Sequence, residues 1–283
     1  MADDRFLEDF SLGEQTRSPE FTLGPDDLDA FAAVSGDRHP MHLAGGADEP
    51  VGHGPLGLAR YFGTVYDEGS IAASVIALLD TRWSYRAPLR LGVPLHYTTT
   101  ITQVRRTSAG DRGVVNRWVE LRDDAGTVVQ EGSSAVLLRA RHHRAPDTDA
   151  VSHTPLSVRW ARAVASRVEN DEVFAASTGL FDGAIGVASE NDAVVLRVYK
   201  GRVIDVGTRV PAGPTFTLRG TEVAWARLLT APENDLLVRT HRGEFWGTGN
   251  TYVYLQLTAA LHAIVDAARS LRTGQADPEG RSR

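Results

Sequence analysis

The run Ser35-Gly36-Asp37-Arg38-His39-Pro40-Met41-His42, followed after a glycine-rich loop by Val51-Gly52-His53-Gly54-Pro55, holds the densest chemistry in the chain. Asp37 and His42 stand five positions apart across a loop that Pro40 stiffens. An acid and an imidazole so placed can share one water, which suits general acid/base work. Gly54 precedes Pro55 at the expected start of a helix. Unpaired amide groups and the helix dipole favour negative charge there. The plain readings of the same residues are a surface loop and an ordinary turn into a helix.

Outward from this run, the residues before it predict a short helix over 26–34, with Leu28, Phe31, Ala32 and Val34 apolar and Pro25 suited to the first turn. After it, Pro55 to Tyr66 offers Leu56, Leu58, Ala59, Phe62 and Val65 as one broad apolar face. This second helix is expected to be buried, with the apolar run continuing towards Leu79. Three strand-like segments follow, 95–104, 114–121 and 128–138, the last two joined by Asp123-Asp124-Ala125-Gly126. Together they predict a sheet curled around one central helix.

The whole chain has 283 residues, and at roughly 150 per domain that suggests two domains. Between Arg139 and Pro155 neither a helical nor a strand period holds, so residues 142–155 are read as a linker. His142 and His143 within it read as solvated surface, and no metal is expected. The second half predicts a helix over 156–168, strands over 193–199, 202–206 and 215–218, and a hairpin turn at Lys200-Gly201. Helices over 223–229 and 232–240, a short strand at 244–246 and a long closing helix complete it. The closing helix carries Val253, Leu257, Leu261, Ile264, Val265 and Ala268 on nearly one stripe. Residues 274–283 are polar and are expected to be disordered.

Composition removes several classes of function. There is no cysteine, so disulfides, thiolate metal sites and a cysteine nucleophile are excluded. A net charge of −6 gives no basic field for nucleic acid. No apolar stretch is long enough to span a bilayer or to act as a leader, which sets the expectation of a cytoplasmic protein. No Gly-rich dinucleotide fingerprint occurs, and no cofactor is expected.

The order Phe10-x-Leu12-Gly13, Phe21-Thr22-Leu23, Asp27-Leu28-x-x-Phe31-Ala32-x-x-Ser35-Gly36-Asp37-x-x-Pro40-x-His42, then His53-Gly54, resembles the MaoC-like (R)-specific enoyl-thioester hydratases and dehydratases. Trp83, Pro88 and Gly92 extend the resemblance, which covers residues 6–139. It implies a hot-dog domain over 1–141. It further implies that Asp37 and His42 hold the water that adds to, or leaves, an α,β double bond conjugated to a thioester. Gly54 would give its N–H to the thioester oxygen, a contribution of roughly 2.7–4 kcal/mol in a dry site. His39, His53 and Phe62 are the further pocket candidates. His39 stands where the family has asparagine, the loop from His42 to His53 is shorter, and Phe62 stands where a serine helps to hold the aspartate. Phe62 is therefore expected either beside Asp37 or turned into the core.

Val195 to Gly201, Thr215-Phe216-Thr217-Leu218 and Arg242 to Asn250 resemble the sterol carrier protein 2-like family. That resemblance implies an α+β domain over 156–273 that encloses a fatty acyl chain or sterol-like lipid, and no binding residue is assigned. An unrelated α+β domain or a degenerate second hot dog would read similarly. The fold class expected is thus α+β: an antiparallel sheet around a central helix, then helices on a mixed sheet. The function implied is a hydro-lyase on trans-2-enoyl or 3-hydroxyacyl thioesters of coenzyme A or an acyl carrier protein. A non-catalytic acyl-thioester or lipid carrier and a hot-dog thioesterase are the alternatives. A homodimer is expected, since hot-dog sheets of that family commonly pair.

Overall fold

The structure, a computed structural model, describes residues 4–43, 45–67, 71–145 and 148–273; the tail 274–283 lies outside them. The chain divides into two compact units, Met1–Pro146 and Asp147–Arg283.

In the first unit, a 3-10 turn (Leu7–Asp9) leads to β1 (Gln15–Arg17) and then α1 (Pro25–Ser35). Asp27 folds back to accept the Gly24 N–H at 2.8 Å, closing the start of α1. Gly36 ends it in the left-handed region at φ 77°, which aims the chain into the Asp37 loop. Leu28 and Ala32 are buried, while Val34, expected on the apolar face, is 88% exposed. A second 3-10 turn (Pro40–His42), β2 (Val51–Gly52) and α2 (Gly54–Asp67) follow. Then come β3 (Val75–Tyr85), β4 (Leu89–Arg90), β5 (Leu95–Arg106), β6 (Arg112–Asp123) and β7 (Val128–Arg139).

The main sheet runs β1-β5-β6-β7-β3, and every pairing in it is antiparallel. Leu56 and Tyr61 of α2 share one apolar cluster with Leu95 and Tyr97 of β5, Val119 and Leu121 of β6 and Val129 of β7. The sheet therefore packs around α2, which makes this unit a hot-dog domain. Two hydrogen bonds fix the helix on it: Tyr97 donates to the Gly57 carbonyl at 2.6 Å, and Gln130 Nε2 to the Gly54 carbonyl at 2.9 Å. Burial raises the Tyr97 phenol well above its ordinary pKa, so its hydroxyl stays a donor.

One expectation is corrected here. The apolar run towards Leu79 does not extend α2; Val75–Tyr85 is an edge strand on β7. Its β-branched and aromatic residues suit an extended edge, and Val75, Ile76, Leu78 and Leu79 are exposed there.

In the second unit the residues from Val151 onward are folded, although the segment to 155 reads as a linker. A 3-10 turn (Val151–His153) buries Ser152 and is followed by buried Leu156. Then come α3 (Val158–Val168), α4 (Glu172–Ser177), β8 (Asp182–Ala188), β9 (Ala193–Tyr199), β10 (Arg202–Gly207), β11 (Phe216–Gly220), α5 (Glu222–Thr230), α6 (Leu236–His241), β12 (Phe245–Gly249), α7 (Thr251–Gln256) and α8 (Thr258–Thr273). The sheet is mixed, in the order β10-β9-β8-β11-β12, with β11 parallel to β8. Lys200 and Gly201 both take positive φ, 45° and 86°, in the hairpin between β9 and β10.

Sequence reading misses α4 and the central strand β8. A strand buried on both faces shows a continuous apolar run without alternation, and residues 184–188 are all buried. The helix expected from Pro232 begins only at Leu236, because Asn234 is turned away to the His262 carbonyl and Asp266. The closing helix is broken at Leu257 into α7 and α8. Among the described residues no helix is long and apolar enough to cross a membrane.

Candidate functional site

The three elements that meet at the candidate site are the loop after α1, the turn Pro40–His42 and the start of α2. His53 links them. It is 2% exposed, and its Nε2 donates to the Asp37 carbonyl at 3.0 Å. The Asp37 carboxylate lies 4.0 Å from the same nitrogen. The His42 ring stacks on His53 with centroids 4.2 Å apart, and Phe31 of α1 lies on His53 at 5.0 Å. Asp37 and His42 are thus brought together around one buried imidazole.

Hydrogen-bond partners fix the tautomers. His42 Nδ1 is 2.8 Å from the Val51 carbonyl, which can only accept, so Nδ1 carries the hydrogen. Its Nε2 is left with a lone pair and no partner among the described residues. By the same logic His53 Nδ1 carries a lone pair, and it is buried without a partner. Asp37 is a half-exposed carboxylate, with 53% of its side chain accessible. It accepts the His39 N–H at 3.1 Å, a local turn that presents the acid outward.

His39 caps the Pro40–His42 turn, its Nδ1 accepting the Met41 N–H at 3.3 Å, and its ring lies 6.3 Å from that of His42. It is exposed at the rim. Gly54 is the first residue of α2, where amides have no intrahelical acceptor. Tyr85 covers its Cα so closely that a Cβ would stand 3.0 Å from the Tyr85 ring. Phe62 sits eight residues further on, about 12 Å along the helix by its rise. It packs on the apolar cluster and against Tyr61 at 5.5 Å.

The sequence reading overlooks Gln130 and Tyr85, and takes Phe31 only as an apolar helix position. Gln130 is 1% exposed, accepts from Trp83 Nε1 at 2.8 Å and donates to Gly54. It gives no sequence signal of its own, since Glu131, Ser133 and Ser134 are polar in the same strand.

The second unit holds a cavity of about 680 Å³, lined by Leu180, Phe181, Val253, Leu257 and neighbouring residues. Val253 and Leu257 belong to the stripe expected as core; Val253 is half-buried, while Leu257 and the rest of the stripe from Leu261 on are buried.

No family model matches the chain, and no curated protein does. Solved structures similar to it include a MaoC-like dehydratase from Rhodospirillum rubrum, 24% identical, covering 49% of this chain and 99% of that one at a TM-score of 0.43. An R-hydratase from Pseudomonas aeruginosa is 20% identical, over 51% of this chain and 95% of that one, at 0.40. A sterol carrier protein 2 is 20% identical, over 41% of this chain and 97% of that one, at 0.36.

Proposed function

We propose that the first unit hydrates trans-2-enoyl thioesters or dehydrates the 3-hydroxy forms. The observation that carries this reading is that Asp37 and His42, whose Nε2 keeps its lone pair, both pack against buried His53 beside the start of α2. A water held by both groups loses one proton to His42 Nε2 as its oxygen bonds to C3 of the substrate. The Asp37 carboxylate accepts a hydrogen bond from the water's second hydrogen, which stays on the oxygen as the C3 hydroxyl. Charge then builds on the thioester oxygen, where the Gly54 N–H and the helix dipole meet it. The proton on His42 returns to C2, and the sum is addition of water across the double bond.

The carboxylate is half-exposed, whereas such chemistry runs best where water is excluded. A second copy of the chain would supply the cover, and the exposed apolar edge β3 offers it a docking strand. Light scattering checks for that homodimer. The cavity of the second unit falls within the size range of small-molecule sites, and it is proposed to shelter the acyl chain or a sterol-like lipid.

The deciding assay follows the absorbance of a crotonyl thioester with the intact chain. Loss of conjugation without thiol release is the expected result. Thiol release instead identifies a thioesterase. Binding without either change leaves the non-catalytic carrier, which the open carboxylate favours.

A further inference from the structure

A second polar feature lies on the inner side of the hot-dog sheet, and it has no part in the reaction above. Arg117 on β6 is 6% exposed, yet it forms no ion pair with a carboxylate among the described residues. One of its nitrogens, Nη2, donates to Ser134 Oγ at 2.9 Å, and its guanidinium lies over the Tyr61 ring at 5.5 Å. Its Nε–H is buried with no partner. A buried cation in this condition is costly, because desolvation is not offset by an opposite charge.

Arg117 and Tyr61 line a cavity of about 80 Å³ together with Arg5, Glu14, Phe10, Val65, Ile71 and others. Glu14 is not available to Arg117. It is held by Arg5 at 2.6 Å and by the Ser11 N–H at 3.3 Å. The ionised lining groups, Arg5, Glu14 and Arg117, therefore sum to one uncompensated positive charge. Tyr61 is 1% exposed, and its oxygen accepts a long bond from Thr99 Oγ1 at 3.5 Å, which leaves its O–H to donate. One wall thus offers a buried cation and the Tyr61 O–H as a donor. The opposite character comes from Phe10, Val65 and Ile71, which would suit a short alkyl body.

We propose that this cavity is a binding site for a short-chain monocarboxylate of about two to four carbons, with Arg117 as counter-charge and the Tyr61 hydroxyl as second donor. A planar carboxylate matches the guanidinium edge, and its alkyl end matches the apolar lining. Inorganic phosphate brings more charge and no apolar body, so it should bind worse. The proposal does not depend on the hydratase reading.

The test titrates the full chain with sodium propionate, using calorimetry and thermal melting, with sodium chloride and phosphate at matched ionic strength as controls. The expected result is saturable one-to-one binding of propionate and a melting temperature that rises with its concentration. Arg117→Met should still fold, since it replaces an unpaired buried charge with an apolar chain of similar shape, and should bind on the order of tenfold to a hundredfold more weakly. Tyr61→Phe keeps the ring under Arg117 and should weaken binding severalfold. No saturable binding by the unaltered chain overturns the proposal. So does phosphate binding as well as propionate, or unchanged affinity in Arg117→Met. Should Arg117→Met fail to fold, unchanged affinity in Tyr61→Phe overturns it.

Discussion

The loop from Asp37 to His42 and the start of α2 touch through the stacked rings of His42 and His53, and they are built in opposite ways. The loop is open: Asp37 and His39 are exposed and held mainly by bonds to neighbouring backbone. The start of α2 is closed: His53, 2% exposed, ties it to the loop, and Gln130, 1% exposed, ties it to the sheet. Under the proposed reaction the difference separates roles. Groups that meet a water must be accessible, while the groups that aim them must not move.

The largest expected effect breaks this comparison on the open side. His42→Gln should keep the fold and lower enoyl-thioester turnover by on the order of 10²–10⁴, read from kcat with circular dichroism as the folding control. Near-normal turnover would remove His42 from the chemistry.

On the closed side the change should be structural. A Cβ at Gly57 would stand 2.3 Å from Gln130 Oε1, and Gln130 cannot move without losing its bonds to Trp83 and Gly54. Gly57→Ala should therefore cost about 1–3 kcal/mol in urea unfolding. Gly54→Ala, by contrast, meets a Tyr85 ring that is 53% exposed and able to swing aside, so its cost in stability should be smaller.

Phe62 sharpens the boundary. If it belongs to the core rather than to Asp37, Phe62→Ser should lose about 1–2 kcal/mol of stability, as a large-to-small change at a partly buried position. Its pH–rate profile should stay in place. A shift of the acidic limb would instead put Phe62 beside the carboxylate.

The smallest effect compares two carboxylates. Glu8 is tied where Asp37 is open: it accepts the Arg141 N–H at 2.8 Å and Arg106 Nη2 at 3.0 Å. Burial alone would raise its pKa, but these bonds outweigh it and hold the carboxyl at about 2. A depressed folded-state pKa adds stability that is complete above the unfolded value, about 4.3, and is lost as pH falls towards 2. Glu8→Gln should flatten the acid side of the stability curve by on the order of 1 kcal/mol.

What the sequence determined by itself is local. Gly36 and Gly54-Pro55 mark helix ends because backbone conformation depends on the residues at hand. The three long strands β5, β6 and β7 show the required alternation, and Lys200-Gly201 marks its own turn. The candidates Asp37, His39, His42 and His53 are legible because they crowd into one short stretch. Tertiary structure decided the rest. Val75–Tyr85 became an edge strand because β7 offered it a ladder, and β8 gave no alternation because both of its faces are covered. The nearness of Asp37 and His42 runs through the burial of His53, and Gly54 is held by Gln130, 76 residues away. Arg117 gives no sequence signal of its own. Its unpaired charge arises only when folding places β6 over Tyr61 and commits Glu14 to Arg5, since desolvation and pairing belong to neighbours in space.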